Sequence, residues 1–204
     1  MNTEQLIRQL VKINACNDAI WWVKNQKHLS PKQLWEKCNF PDWMIWFLIV
    51  TSNKINNSPD LDSILLLLHD VIRIYILPHF IEEQHIIRIH TLHSQKKEQD
   101  IVNQIMELTQ KSIIENKSFN VSELLYDLYG YTYSTNKFLC LYNFNEAIII
   151  KIYQGKGNNR DNIAHRANKV INYGKMICLK HNYDNIVSNY IRDNIDISKI
   201  LEEE

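Results

Sequence analysis

Ser30-Pro31-Lys32-Gln33-Leu34-Trp35-Glu36-Lys37-Cys38-Asn39-Phe40-Pro41-Asp42-Trp43-Met44-Ile45-Trp46 carries two helix starts in quick succession. Ser30 offers a hydroxyl at an N-cap. Pro31 fills the first helical position, where an amide hydrogen would have no partner, and Gln33 can close a capping box. Asn39-Phe40-Pro41-Asp42 repeats the arrangement, with Asn39 as cap, Pro41 in the first turn and the Asp42 carboxylate beside the positive helix end. Ser58-Pro59-Asp60 and Asn120-Val121-Ser122-Glu123 give further starts. Together they divide the chain into helices over about 3–13, 15–27, 31–38, 41–53, 60–77, 82–93, 97–115, 121–133, 143–153, 160–181 and 183–194, with a short turn near 196–202.

Composition agrees with an all-α reading. Gly and Pro number only 4 each in 204 residues, whereas all-β architectures consume both in turns. The length suits a single domain over 1–204, built as a multi-helix bundle or an array of helical hairpins. The loop at 154–159 offers a subdomain break. Helical spacing places Leu6, Leu10 and Val11 on one face, and Trp43, Trp46, Phe47 and Val50 on another. Ile101, Ile105, Leu108 and Ile113 recur in the same way. One stretch competes with this reading. Residues 136–153 hold Phe138, Tyr142, Ile148, Ile149, Ile150 and Ile152, types that favour strands, so a small β-hairpin there is the structural alternative.

The bulk properties exclude several partners. Net charge is zero, with 23 basic and 23 acidic residues, so the phosphate neutralisation that drives nucleic-acid binding is not favoured. Trp43–Val50 is wholly apolar but too short to span a bilayer. The apolar run at 64–77 is interrupted by His69, Asp70 and Arg73. Both read as buried core helices, and no membrane is expected. Cys16, Cys38, Cys140 and Cys178 are scattered, without a C-x-x-C pair. The start, Met1-Asn2-Thr3-Glu4-Gln5, lacks a secretory n-region and h-region. A cytoplasmic protein with reduced core cysteines follows as the expectation.

Chemistry-bearing groupings are few. His79, His85, His90 and His93 cluster with Glu82 and Glu83, yet no H-E-x-x-H motif appears, and a metal site needs convergent ligands with supporting bonds. Neither a metal nor a cofactor is expected. Asp70 and Arg73, spaced i,i+3 on an apolar helix, read as an internal ion pair or as the edge of a polar cleft. Asp42 reads as a first-turn acid serving the helix dipole. No nucleophile motif is present, so the chain reads as a binding protein and not an enzyme. Gln154-Gly155-Lys156-Gly157-Asn158-Asn159-Arg160 lacks the spacing of a phosphate loop. Even so, Lys156 and Arg160, with His165 and Arg166 on the helix that follows, form a candidate anion site.

Three segments taken together resemble a known family. The first runs from Ala15-Cys16 through Ala19, Trp21 and Trp22 to Leu34-Trp35-Glu36-Lys37-Cys38 and Asp42-Trp43-Met44-Ile45-Trp46. The second is Leu65–Leu68 with Arg73 and Leu77-Pro78. The third is Tyr183-Asp184-Asn185-Ile186-Val187 with Tyr190-Ile191-Arg192-Asp193, Ile195 and Ile200. The pattern resembles the helical immunity proteins of bacterial polymorphic toxin systems, whose relatives also occur in phage and prophage genomes. It touches both ends of the chain and skips much of the middle, and Asp42–Trp46 is its most specific piece. The chain departs from the family before its last helix, where Ile, Asn and Tyr stand in place of an Ala-rich stretch.

The resemblance implies a stoichiometric inhibitor or antidote that binds a toxin or effector protein, with Trp43, Trp46, Asp70 and Arg73 as candidate partner-binding residues. The phage relatives imply an alternative, an anti-defence protein that inhibits a host immune complex. A nucleotide-binding protein or enzyme built on the 156–166 basic cluster is the third reading. Homo-oligomerisation stays open.

Overall fold

The computed structural model describes residues 1–52, 59–80, 92–131, 135–153, 159–178 and 182–201, and every regular element among them is a helix. Helix α4 (Pro41–Thr51) lies at the heart of the packing. It is apolar all round, and Met44, Ile45, Leu48, Ile49 and Val50 are buried on every side, as such a helix must be. α8 (Thr135–Tyr153) and α9 (Arg160–Cys178) lie along each other in the most extensive helix contact of the fold, and α9 packs next most extensively on α4. α5 (Leu61–Val71) and α10 (Tyr183–Asn194) flank α4. α6 (Leu92–Glu115) and α7 (Ser122–Tyr131) form a pair against α5 and α8. At the other side of α4 stand α1 (Thr3–Lys12), α2 (Asn17–Asn25) and α3 (Pro31–Lys37), with the short α11 (Ser198–Leu201) on α3. Buried apolar residues from Leu6 to Leu201 form one contiguous cluster. The helices on either side of 154–159 therefore share a core.

The caps explain most of the boundaries. Gln33 N–H donates to Ser30 Oγ at 3.3 Å and Ser30 N–H to Gln33 Oε1 at 2.9 Å, the reciprocal box read from the sequence. Asn2 and Gln5 build a second box at α1. Asp60 caps α5 by accepting from Ser63 N–H at 2.8 Å. Asn39 does not cap α4. The N-cap is Phe40, which has no side-chain bond, so Pro41 and the Asp42 charge carry that start. Past α5 the chain widens into one π turn (Ile72–Ile76) and tightens into a 3₁₀ turn (Leu77–Phe80). Pro78 has no amide to continue the α ladder, which forces such a change. The Tyr75 carbonyl left over accepts the Cys178 thiol at 3.1 Å.

The hairpin alternative for 136–153 is overturned. A single helix runs through the segment, beginning at Thr135 and not near 143. Lys137, Cys140, Leu141, Phe144, Ala147 and Ile148 recur at helical spacing and are all buried. The strand preference of Ile and Tyr is weak and gives way to this packing against α9. Similarly, 97–115 begins earlier, at Leu92. The rest of the expected 82–93 helix, with His85 and His90, lies outside the described residues, as does Lys156. No described helix is long and apolar enough to cross a membrane.

Candidate functional site

The tryptophans do not fill the core as core side chains. Trp22, Trp35, Trp43 and Trp46 are half-buried and Trp21 is 67 % exposed. The half-buried rings surround a cavity of about 400 Å³ between α1–α3 and α4. α1–α3 approach α4 through ring contacts more than through close backbone packing, which leaves the space open. Trp22 meets Trp43 edge-on at 6.4 Å, Phe40 stacks on Trp43 at 4.1 Å, and Trp35 tilts against Phe47 at 6.4 Å. Leu6, Leu10, Val23, Leu34 and Met44 supply apolar wall, and Leu201 of α11 reaches in from the far end of the chain.

Local chemistry holds that wall in place. Thr3 Oγ1 donates to Leu29 O at 2.5 Å, tying α1 to the chain just before α3. Arg192 of α10 donates to Cys38 O at 2.6 Å, Trp35 O at 3.4 Å and Asn39 Oδ1 at 3.4 Å. Its guanidinium thus takes up Cys38 O, just past the end of α3, and shares Trp35 O with the Cys38 N–H that closes the helix.

The polar groups around the cavity are sparse. Asp42 lines it, half-buried, and burial pushes its carboxyl above the usual aspartate range. Amides of the α4 first turn oppose that shift, and so does Lys175. Lys175, however, is bonded to Asp184, whose charge acts on Asp42 in the raising direction. Cys38 also lines the cavity, and burial pushes its thiol up to about 11, so it stays protonated at neutral pH and is no nucleophile. Trp35 Nε1 and Asn168 Oδ1, on two further lining residues, are buried without hydrogen-bond partners among the described residues.

The other candidate residues fall elsewhere. Asp70 and Arg73 pair at 3.5 Å, but Arg73 is 62 % exposed, so this is a surface pair and not an internal one. Tyr190 Oη lies 3.5 Å from Asp70 Oδ2 and stacks edge-on against Tyr75, and proximity to Asp70 adds to burial in pushing its phenol up. His69 is buried with Nε2 3.2 Å from Met106 O, and burial lowers its imidazole below the ordinary value, favouring the neutral ring that donates from Nε2.

Arg160, His165 and Arg166 do not converge. About 100° of rotation per residue spreads them around α9. His165 is exposed, whereas Arg166 turns to α8, donating to Asn143 Oδ1 at 3.0 Å and pairing with Glu146 at 4.0 Å. Arg160, at the helix start, keeps a buried Nη1 without a hydrogen-bond partner among the described residues. Among the described residues no group of His, Cys, Asp and Glu could hold a metal ion.

Compared with family models, curated proteins and solved structures, the chain finds no match in any of the three.

Sequence reasoning placed Trp43 and Trp46 on one α4 face correctly but missed that the rings frame a void. It missed Arg192 as a capping residue altogether. The signal for the void lay in the ring-bearing segments 21–22, 35 and 43–46 taken together, since so many indoles near short helices seldom pack without gaps.

Proposed function

We propose that the protein is a stoichiometric binding inhibitor of the immunity-protein type, working through an aromatic surface at α2 and the start of α4. The observation that carries this reading is Trp21, an indole 67 % exposed on α2 beside the Trp22–Phe40–Trp43 ring cluster, with Phe40 itself 38 % exposed. Trp and Arg dominate the binding energy of protein interfaces, because a large rigid ring buries much area at little entropic cost. The resemblance of Asp42–Trp46 to immunity proteins adds the expectation of a protein target. Asp70 and Arg73 offer a second, charged patch whose part is to steer and orient more than to anchor.

The test is co-expression with the toxin-like product of a gene beside its own. The inhibitor reading expects growth to be rescued and an equimolar complex to elute from size exclusion. Trp21→Ala is expected to weaken the complex by about 30-fold, as loss of roughly 2 kcal/mol at a hot spot requires. Toxicity that persists with no complex formed would refute the reading. An unchanged affinity of Trp21→Ala would remove the surface on which it rests.

A further inference from the structure

A solvent-open pocket of about 400 Å³ lies between α1–α3 and α4, and its walls forgo the contacts that close packing would give. Here the walls are unusual in a way that points to an occupant. Trp22, Trp35, Trp43, Trp46 and Phe47 contribute aromatic rings, and the negative face of an indole attracts cations better than that of any other aromatic side chain. Among the described residues that line the space, Asp42 is the charged one, and no Lys, Arg or His stands with it. Lys175 of α9, the cation whose charge favours the Asp42 carboxylate, is engaged by Asp184 of α10. Arg192 is engaged by the α3 carbonyls. The carboxylate thus has the first-turn amides of α4 beside it but shares its cation with Asp184.

An anion would meet neutral donors such as Trp35 Nε1 but no lining cation, and it would be repelled by Asp42. A neutral apolar molecule would gain from burial alone and would leave Asp42 as it is. A cation gains from rings and carboxylate together, in a space partly withdrawn from water, where both attractions strengthen.

We propose that the cavity between α1–α3 and α4 binds a small organic cation, a quaternary or tertiary ammonium group held against the indole rings with Asp42 as its counter-charge. The size falls within the ordinary range for small-ligand sites, roughly 300–1,000 Å³, so the ammonium head can carry a short tail. The proposal does not rest on the inhibitor reading, because Trp21, which carries that reading, is not among the rings lining this space.

The experiment titrates the full chain with choline and with its uncharged isostere 3,3-dimethylbutan-1-ol, by tryptophan fluorescence and by calorimetry. Choline is expected to bind saturably with one site per chain, about 10-fold or more tighter than the isostere, as an interaction of roughly 1.4 kcal/mol or more demands. Its affinity is expected to fall as pH is lowered and Asp42 takes up a proton, while that of the isostere stays level. Asp42→Asn is expected to bring the two ligands to within about 3-fold of each other. Equal affinities in the wild-type chain would overturn the proposal, as would the absence of saturable choline binding. So would a full cation preference surviving in Asp42→Asn. Should that variant fail to fold, the wild-type comparison of charged and uncharged ligand decides alone.

Discussion

Lys137 is 2 % exposed, among the most buried large side chains of the protein. Its ammonium donates to Phe80 O, sits 3.5 Å from Glu98 Oε1 and lies 5.3 Å from the centre of the Phe80 ring. Removing one member of such a pair leaves a charge in a poor solvent, whereas replacing it with an apolar chain of similar length keeps the packing. Lys137→Ala is therefore expected to lower stability by about 3–5 kcal/mol in urea unfolding, and Lys137→Met by clearly less. Equal losses would show that the side-chain packing has no part in the effect and that the lost charge accounts for all of it. Asp42 gives a prediction of the opposite sign. Its carboxyl is raised in the folded chain, so the folded state disfavours its ionisation, and stability is lost as pH rises through the folded value. Asp42→Asn is expected to raise Tm near pH 7, with the gain shrinking towards zero once the pH falls below the unfolded aspartate value. A gain that persists in acid would mean that the effect is not electrostatic. A residue that weakens its own fold while improving a site is the usual trade between stability and binding. Neither residue announces itself in sequence. Thr135-Asn136-Lys137 looks like a solvated helix start, and Asp42 looks only like a dipole-serving acid, because what buries them arrives from other helices.

Helix beginnings were readable wherever the bonds that make them join near neighbours. The Ser30–Gln33 box and the Asp60 cap each lie within one turn of chain, so contiguous residues contain the whole interaction. The start of α4 at Pro41 was legible, but its cap was placed one residue early, at Asn39, which bonds Arg192 instead. Helix endings depend more on distant partners. The end of α3 is finished by Arg192, far along the chain, and no local signal could name it. The 136–153 ambiguity has the same root: side-chain type favours a strand, and only contact with α9 decides for helix. Arg192→Ala is expected to destabilise the protein by roughly 2–3 kcal/mol, the scale of charge-assisted hydrogen bonds. The loss should be localised. Amide exchange over 31–38 should accelerate more than exchange in α8 and α9, because α3 loses its cap while the central helices keep their packing. Arg192→Lys is expected to recover only part, as a single ammonium cannot reproduce the fork that meets Cys38 O and Asn39 Oδ1. Uniform acceleration across all helices would indicate that Arg192 acts on global stability and not on this end of α3.

The first residue meets the last described turn. The Met1 ammonium donates to Leu201 O at 3.2 Å, and Ile197, Ile200 and Leu201 are buried at 5 %, 0 % and 8 % exposure. α11 packs on α3, and Leu201 lines the aromatic cavity, so the last described turn closes the subassembly that begins with α1. The N-terminal helices meet α4 through rings around an open pocket. Deleting residues 197–204 removes three buried aliphatic side chains, each contributing about 1.5–3 kcal/mol, together with one wall of the cavity. The truncated chain is expected to keep its helical circular-dichroism signal, because α4, α8 and α9 pack without α11. It should lose roughly 5 kcal/mol of unfolding free energy and expose the indoles, with a red shift in tryptophan emission. Lost helicity in place of that shift would mean that the central helices depend on the chain ends for their own folding. A blue emission kept intact after truncation would mean that α1–α3 hold the cavity closed without α11.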